Sequence, residues 1–297
     1  MFLKLKQFEF IKGLHSKKAQ VCVVGGNVRD QLLGRAGKDL DLLVRLIPYD
    51  ELCETLKNYG MVNVVGKSFG VIKFRPRQDP TEEIDISLPR IEKSTGSGHK
   101  DFLVDFNPQI PVEQDLARRD FTINAMAYDL ATGQIIDPFG GQEDLKKKQI
   151  RQVFIEAFIE DPLRMLRAVQ FAARFNFVIE AQTFNFIKEH AALIQTVSKE
   201  RIILEIKKLF SAEKPSLGFD LMRDSGLLPF IFPFIHKMIG IIQPQKRNED
   251  VYTHTMKVLD ASRVASEMEK PGDLDIMFSA LLHDAGKPKT YRLDPQT

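Results

Sequence analysis

Residues 21–44 read VCVVGGNVRDQLLGRAGKDLDLLV, and the order of residue types in this stretch decides the fold. The apolar run Val21 to Val24 predicts a strand, Gly25 and Gly26 a sharp turn, residues 28–33 a short helix, and Asp39-Leu40-Asp41-Leu42 a second strand. Glycines let the backbone bend tightly and bring its N–H groups close to an anion, and the helix behind them points its positive end the same way. Side chains alternate across a strand, so Asp39 and Asp41 share one face while Leu40 and Leu42 enter the core. Two carboxylates about 7 Å apart suit one or two divalent ions, and a metal pair can stabilise both the attacking and the leaving oxygen of a phosphoryl transfer. Each piece alone also has a plain reading, as an ordinary turn and as a solvated strand edge.

On the N-terminal side, residues 1–18 predict a short amphipathic helix leading into the first strand. On the C-terminal side, Leu52, Leu56 and Tyr59 give residues 49–59 helical spacing, and strands are expected at 61–65 and 71–74. Residues 83–88 (EIDISL) alternate again and place Asp85 on a strand face, either as a third carboxylate of the metal site or as a solvated edge residue. The stretch 90–105, rich in Gly, Ser and charge, reads as a mobile loop. In EQDLARRDFTINAMA (residues 113–127) the apolar positions Leu116, Phe121, Ile123 and Met126 alternate with Arg118 and Arg119, which a solvated helical face would also explain. The basic run Lys146 to Lys148 with Arg151 is either a phosphate-backbone contact or a wet turn.

Near residue 151 the periodicity becomes helical, which sets the expected domains at 1–150, 151–225 and 226–297. EDPLRMLRAVQFAARF (residues 160–175) opens with acids and Pro162, a good helix start, and puts Asp161, Arg164 and Arg167 on one face at spacings of three. Residues 200–210 form a further amphipathic helix. His254 in YTHTM and the pair His283-Asp284 in LLHDAGK offer nitrogen and oxygen ligands of the kind that bind divalent metals.

Composition excludes little. The chain has 297 residues, 43% of them apolar and 28% charged, and a formal net charge of +2, so any nucleic-acid surface must be local. Cys22 and Cys53 lack metal-ligand spacing and predict buried, reduced thiols. Neither a membrane-length apolar run nor a signal peptide is visible, which predicts the cytoplasm.

The glycine pair, twelve intervening residues and the Asp-hydrophobic-Asp strand resemble the signature of polymerase-beta-like nucleotidyltransferases. VGGNVRDQLLG, RRDFTINA and EDPLRMLRA are similar to the narrower elements of the class II tRNA nucleotidyltransferase and poly(A) polymerase family. That resemblance implies an α+β head domain with a small mixed sheet, then an all-helical region. It implies metal-dependent attack of an RNA 3′-hydroxyl on the α-phosphate of CTP or ATP, extending the 3′ end of tRNA toward CCA, with Mg2+ held by Asp39 and Asp41 and helped by Asp85. Gly25, Gly26 and Arg29 are then expected at the triphosphate, Arg119 and Asp120 at sugar and phosphates, and Asp161, Arg164 and Arg167 at the nucleotide, the first two reading its base. The loop at 90–105 is expected beside the nucleotide. Gln170 departs from the family, many of whose members carry arginine there. His254, His283 and Asp284 resemble an HD phosphohydrolase centre, expected to be incomplete because the chain ends at Thr297 before the usual fourth ligand. The missing helical tail predicts a fragment. A poly(A) polymerase, a CC-only or A-only enzyme, an HD-type phosphodiesterase and a non-catalytic RNA-binding module are the alternatives.

Overall fold

The computed structural model describes residues 2, 4–35, 40–65, 71–94, 102–242, 249–269 and 274–290. It has an α+β part followed in sequence by a helical part, in two compact units: Met1–Lys147 with Arg151–Glu160, and Lys148–Ile150 with Asp161–Thr297.

The first unit is built on strands β1 (Gln20–Val24), β2 (Leu40–Arg45), β3 (Gly60–Val65), β4 (Val71–Pro76), β5 (Ile84–Ser87), β6 (Arg90–Ser94), β7 (Phe102–Phe106), β8 (Ala127–Asp129) and β9 (Ile135–Ile136). Seven of them form one mixed sheet in the order β3-β4-β5-β2-β1-β8-β9. β1 runs antiparallel to both neighbours, with Val23 opposite Leu42 of β2 and Tyr128 of β8. β2 and β5 run parallel, with Asp41 opposite Asp85.

Two faces follow from the period-two alternation. One carries Val21, Val23, Leu42, Val44, Ile72, Phe74, Ile84 and Ile86, all buried, and packs under the helices Glu9–Ser16 and Tyr49–Lys57. Phe10 of the first helix meets Phe74 edge-on, with ring centroids 4.9 Å apart. The other face is apolar at Cys22, Val24, Leu43 and Ala127, where Val112 and Leu116 of the helix Val112–Ala117 cover it. Further along this second face the side chains turn polar, at Asp41, Asp85 and Lys73.

One local expectation is corrected. The stretch 90–105, expected as a loop, contains the antiparallel pair β6–β7, with Arg90 opposite Phe106 and Ser94 opposite Phe102; only its Gly/Ser-rich centre at 95–101 lies outside the described residues. The helix that begins at Val112 ends at Ala117, and after a turn through Arg118–Asp120 a 3-10 helix, Thr122–Asn124, leads into β8. Between the two, the Asp120 carboxylate accepts the Phe121 N–H at 2.8 Å.

In the second unit, the helix Leu163–Phe175 connects two short parallel strands, Gln149–Ile150 and Val178–Ile179. This ladder interrupts an otherwise helical region. Asn176 ends the helix in the left-handed conformation (φ 54°), as a C-terminal Asn can at modest cost. The helices Lys199–Phe210, Ser216–Asp224, Val251–Glu269 and Leu274–Leu282 complete the unit. Among the described residues, no helix is long and apolar enough to cross a membrane.

Both cysteines are free and buried. Burial, reinforced by the charge of Asp129, pushes the Cys22 thiol up to about 12, and burial also raises Cys53. Since the thiolate is the nucleophile, neither cysteine should react with iodoacetamide at pH 8 in the native chain, and both should react in denaturant. Rapid native labelling, read by mass spectrometry, would contradict this packing.

Candidate nucleotide and metal sites

Gly25 stands between β1 and the helix Gly26–Leu32 at φ 70°, ψ −134°, a backbone that side-chain-bearing residues rarely adopt. Its N–H donates to the Met126 carbonyl at 3.2 Å, which ties the turn to β8. A Cβ on Gly25 would lie 2.6 Å from Nη1 of Arg119, so the missing side chain is what lets the guanidinium approach the turn.

Around this turn the structure gathers three of the residues singled out in the sequence. Arg29 is buried, donating Nη1 to Asn124 Oδ1 at 2.5 Å and Nε to Asp30 Oδ1 at 2.8 Å. Asn124 Nδ2 donates to Asp120 Oδ1 at 3.0 Å, and the Asn124 carbonyl accepts Arg119 Nη1 at 3.5 Å. Asn124 therefore joins Arg29, Arg119 and Asp120, a role that only long-range packing discloses. Asp115 is the other residue missed. Fully buried, it accepts from Arg118 (Nε, 3.0 Å), Arg119 (Nη2, 3.4 Å) and the Arg90 N–H (3.3 Å). A charge so deeply buried is tolerated only when paired and hydrogen-bonded, and here it fixes both arginines. Arg151, expected as a phosphate-backbone contact or part of a wet turn, pairs with Asp144 at 2.8 Å.

The carboxylates sit beside one another. Asp41 and Asp85 are in register on adjacent parallel strands, about 4.8 Å apart at the backbone, and project from one face. Lys73 continues the row from β4, with Nζ 3.2 Å from Asp85 and 2.8 Å from Glu83. Those bonds, Glu83 first and then Asp85, raise the Lys73 ammonium above its ordinary range, while Lys73 and then Arg75 lower Glu83. Asp39 lies outside the described residues.

In the second unit, Asp161 precedes the helix Leu163–Phe175, with Oδ1 accepting the Leu163 N–H at 3.3 Å. Its two oxygens are gripped by the fork of Arg201, at 3.2 and 2.9 Å. One turn on, the Arg164 N–H donates to the Asp161 carbonyl at 2.9 Å. Arg167 pairs with Glu205 at 3.5 Å and lies over the Phe171 ring. Arg201 and Glu205, one turn apart on Lys199–Phe210, were legible only as polar positions of an amphipathic helix. Gln170, fully buried, ends the row.

His254, His283 and Asp284 come together, with one ligand atom from each lying within 4.8 Å of the others. Asp284 Oδ2 is 3.2 Å from His283 Nε2 and 3.9 Å from His254 Nε2, and it also accepts Lys287 Nζ at 2.7 Å.

Comparison with known proteins agrees with this architecture. Residues 21–151 match the family described as "Poly A polymerase head domain", and residues 176–239 match "Probable RNA and SrmB- binding site of polymerase A". The multifunctional CCA protein of Actinobacillus pleuropneumoniae serotype 5b (strain L20) is 38% identical over 282 residues, covering 92% of this chain and 65% of that protein. That of Nitrosococcus oceani is 38% identical over 276 residues, covering 91% and 64%. This chain thus spans somewhat less than two thirds of these relatives. Among solved structures, a CCA-adding enzyme in its apo form II superposes with a TM-score of 0.76 at 27% identity, covering 99% of this chain and 66% of that one. A CCA-adding enzyme in complex with CTP gives 0.72 at 27%, covering 99% and 63%.

The turn makes a direct prediction. Gly25→Ala should lower stability by about 1 to 3 kcal/mol and displace Arg119. Gly26→Ala should cost less, since its Cβ would meet only the flexible Arg29 Nη2 at 3.3 Å. Equal melting temperatures for the two variants would contradict the strain at residue 25.

Proposed function

We propose, for a chain that belongs to the class II tRNA nucleotidyltransferase and poly(A) polymerase family, that it adds C and A from CTP and ATP to the 3′ end of tRNA. The observation that carries this reading is the in-register pair Asp41 and Asp85 on the sheet that also holds the Gly25 turn. Complexes of similar enzymes with CTP and with ATP support the choice of nucleotides.

Nucleotidyltransferases of this family use divalent metal ions. The donors here fit Mg2+: adjacent carboxylates supply the hard oxygens that it prefers, and Lys73 shows that a cation is already attracted to Asp85. Asp41 and Asp85 would hold the ion, with Asp39 as a further ligand. When bound, it supplies Lewis-acid stabilisation of the phosphate oxygens and acidifies the attacking hydroxyl. The 3′-hydroxyl gives up its proton and bonds the α-phosphorus, and the bond from that phosphorus to the β-phosphate oxygen breaks, so pyrophosphate leaves. Gly25, Gly26 and Arg119 receive the phosphates, and the guanidinium fork of Arg119 matches their oxygens. Arg29 and Asp120, held through Asn124, brace the turn from inside.

Selection of the base we assign to Asp161 and Arg164, an acceptor and a donor that together complement C and A but not G or U. Arg201 supports this assignment by fixing the Asp161 carboxylate on two bonds. A wrong base would leave polar groups unpaired at about 1 to 3 kcal/mol each. A second reading, metal-dependent phosphohydrolysis at His254, His283 and Asp284, draws on their convergence.

Extension of a tRNA lacking CCA, with CTP, ATP or both, is expected to yield products ending at CCA. Products ending at CC, growing as a poly(A) tail, or absent altogether would each replace the reading. Asp41→Ala should abolish extension with the melting temperature unchanged, and near-normal turnover would remove Asp41 from the metal site. Asp161→Ala and Arg164→Ala should lower the kcat/KM preference for CTP and ATP over UTP and GTP by about tenfold to a hundredfold. Unchanged discrimination with weakened tRNA binding would move the pair to the RNA backbone.

A further inference from the structure

We infer that Glu249 is the positioning residue of the His254–His283–Asp284 centre, a carboxylate that fixes which nitrogen of His254 faces the ion; the inference rests on reading that cluster as a metal centre. A neutral imidazole can ligate a metal through one ring nitrogen only if the proton resides on the other, and what the other nitrogen bonds decides this. For His283 the answer is local: Nδ1 lies 2.8 Å from the Ala280 carbonyl, so Nδ1 carries the proton and Nε2 presents its lone pair beside Asp284.

His254 presents Nε2 to Asp284 in the same sense, 3.9 Å from Oδ2, while its Nδ1 faces Glu249 Oε1 at 3.7 Å. That oxygen is buried and has no hydrogen-bond partner among the described residues. A buried carboxylate oxygen calls for a donor, and Nδ1 of His254 is the ring nitrogen that faces it. The separation exceeds a hydrogen bond by about half an ångström, which a small rotation of the Glu249 carboxylate closes as the ring settles on an ion. The second oxygen, Oε2, is anchored 3.2 Å from Lys257 Nζ, so the carboxylate has a fixed hinge. Glu249 thus does for His254 what the Ala280 carbonyl does for His283, and both imidazoles turn the same nitrogen inward.

Carboxylates in this position typically change metal affinity by about 10- to 100-fold when removed. Titration of the full chain with Co2+, followed by its visible absorption and by calorimetry, tests the assignment, with His283→Ala as the variant that defines the site. The expected result is binding in the wild type, loss in His283→Ala, a 10- to 100-fold weaker Kd in Glu249→Ala, and a smaller loss in Glu249→Gln, which keeps an acceptor oxygen. Nitrogen-15 spectra should show the His254 proton on Nδ1 in the wild type and shared between both nitrogens in Glu249→Ala, without a fall in melting temperature. If the wild type binds Co2+ through His283 but Glu249→Ala binds it equally well, the positioning role is overturned. If no His283-dependent binding occurs at all, the metal centre itself is overturned and Glu249 with it.

Discussion

Two negative side chains held side by side on parallel strands are the constraint around which the first unit is arranged. Asp41 and Asp85 cannot separate, because the backbone ladder that pairs them also buries Leu40, Leu42, Ile84 and Ile86 on the opposite face. A slip of either strand by one residue would turn that strand's apolar side chains into solvent and its carboxylate into the core. The sheet therefore trades no register for electrostatic relief. Relief has to come from a cation instead, and Lys73, next in the row, supplies one while Glu83 and Arg75 share its load.

The same economy of support recurs in the second unit, where two charged rungs join neighbouring helices. Asp161 is gripped by Arg201, and Arg167 meets Glu205 one turn further on. Bidentate pairing restricts a carboxylate more than a single bond does, so the two oxygens of Asp161 point in directions fixed by the protein. Buried Gln170 continues the row into the packed interior. The charged groups of this helix are consequently pre-set by the helix beside it.

How much of this the sequence announces depends on the distance over which each feature is specified. The strand, the glycine turn and the alternation Leu40-Asp41-Leu42 are local, and they appear where the pattern of residues 21–44 puts them. The pairing of Asp41 with Asp85 is not local. It needs a strand register that connects positions 44 residues apart, and EIDISL alone could equally be a solvated edge. Glu205 is an acid that looks solvated in the sequence and is buried in the fold, because its partner Arg167 becomes a neighbour only after packing, whereas Asp115 pairs locally with Arg118 and Arg119 and only its burial is hidden from the sequence. Asn124 gives no signal of its own, and its partner Arg29 is 95 residues away. The pair β6–β7 was hidden by composition: among the described strands the two form a sheet of their own, so no apolar alternation against the main sheet betrays them.

The bond from Gly25 N–H to the Met126 carbonyl has a further meaning when the order of synthesis is considered. β1 is made early, and β2 follows it closely, but its other neighbour, β8, begins only at Ala127. Until the ribosome has delivered that segment, the edge of β1 stays open and the turn beside it lacks both its backbone anchor and the Arg119 guanidinium. A nascent chain thus holds both strands of the β1–β2 pair long before the Gly25 turn can gain its anchor. The turn is completed late, when a single strand closes the edge.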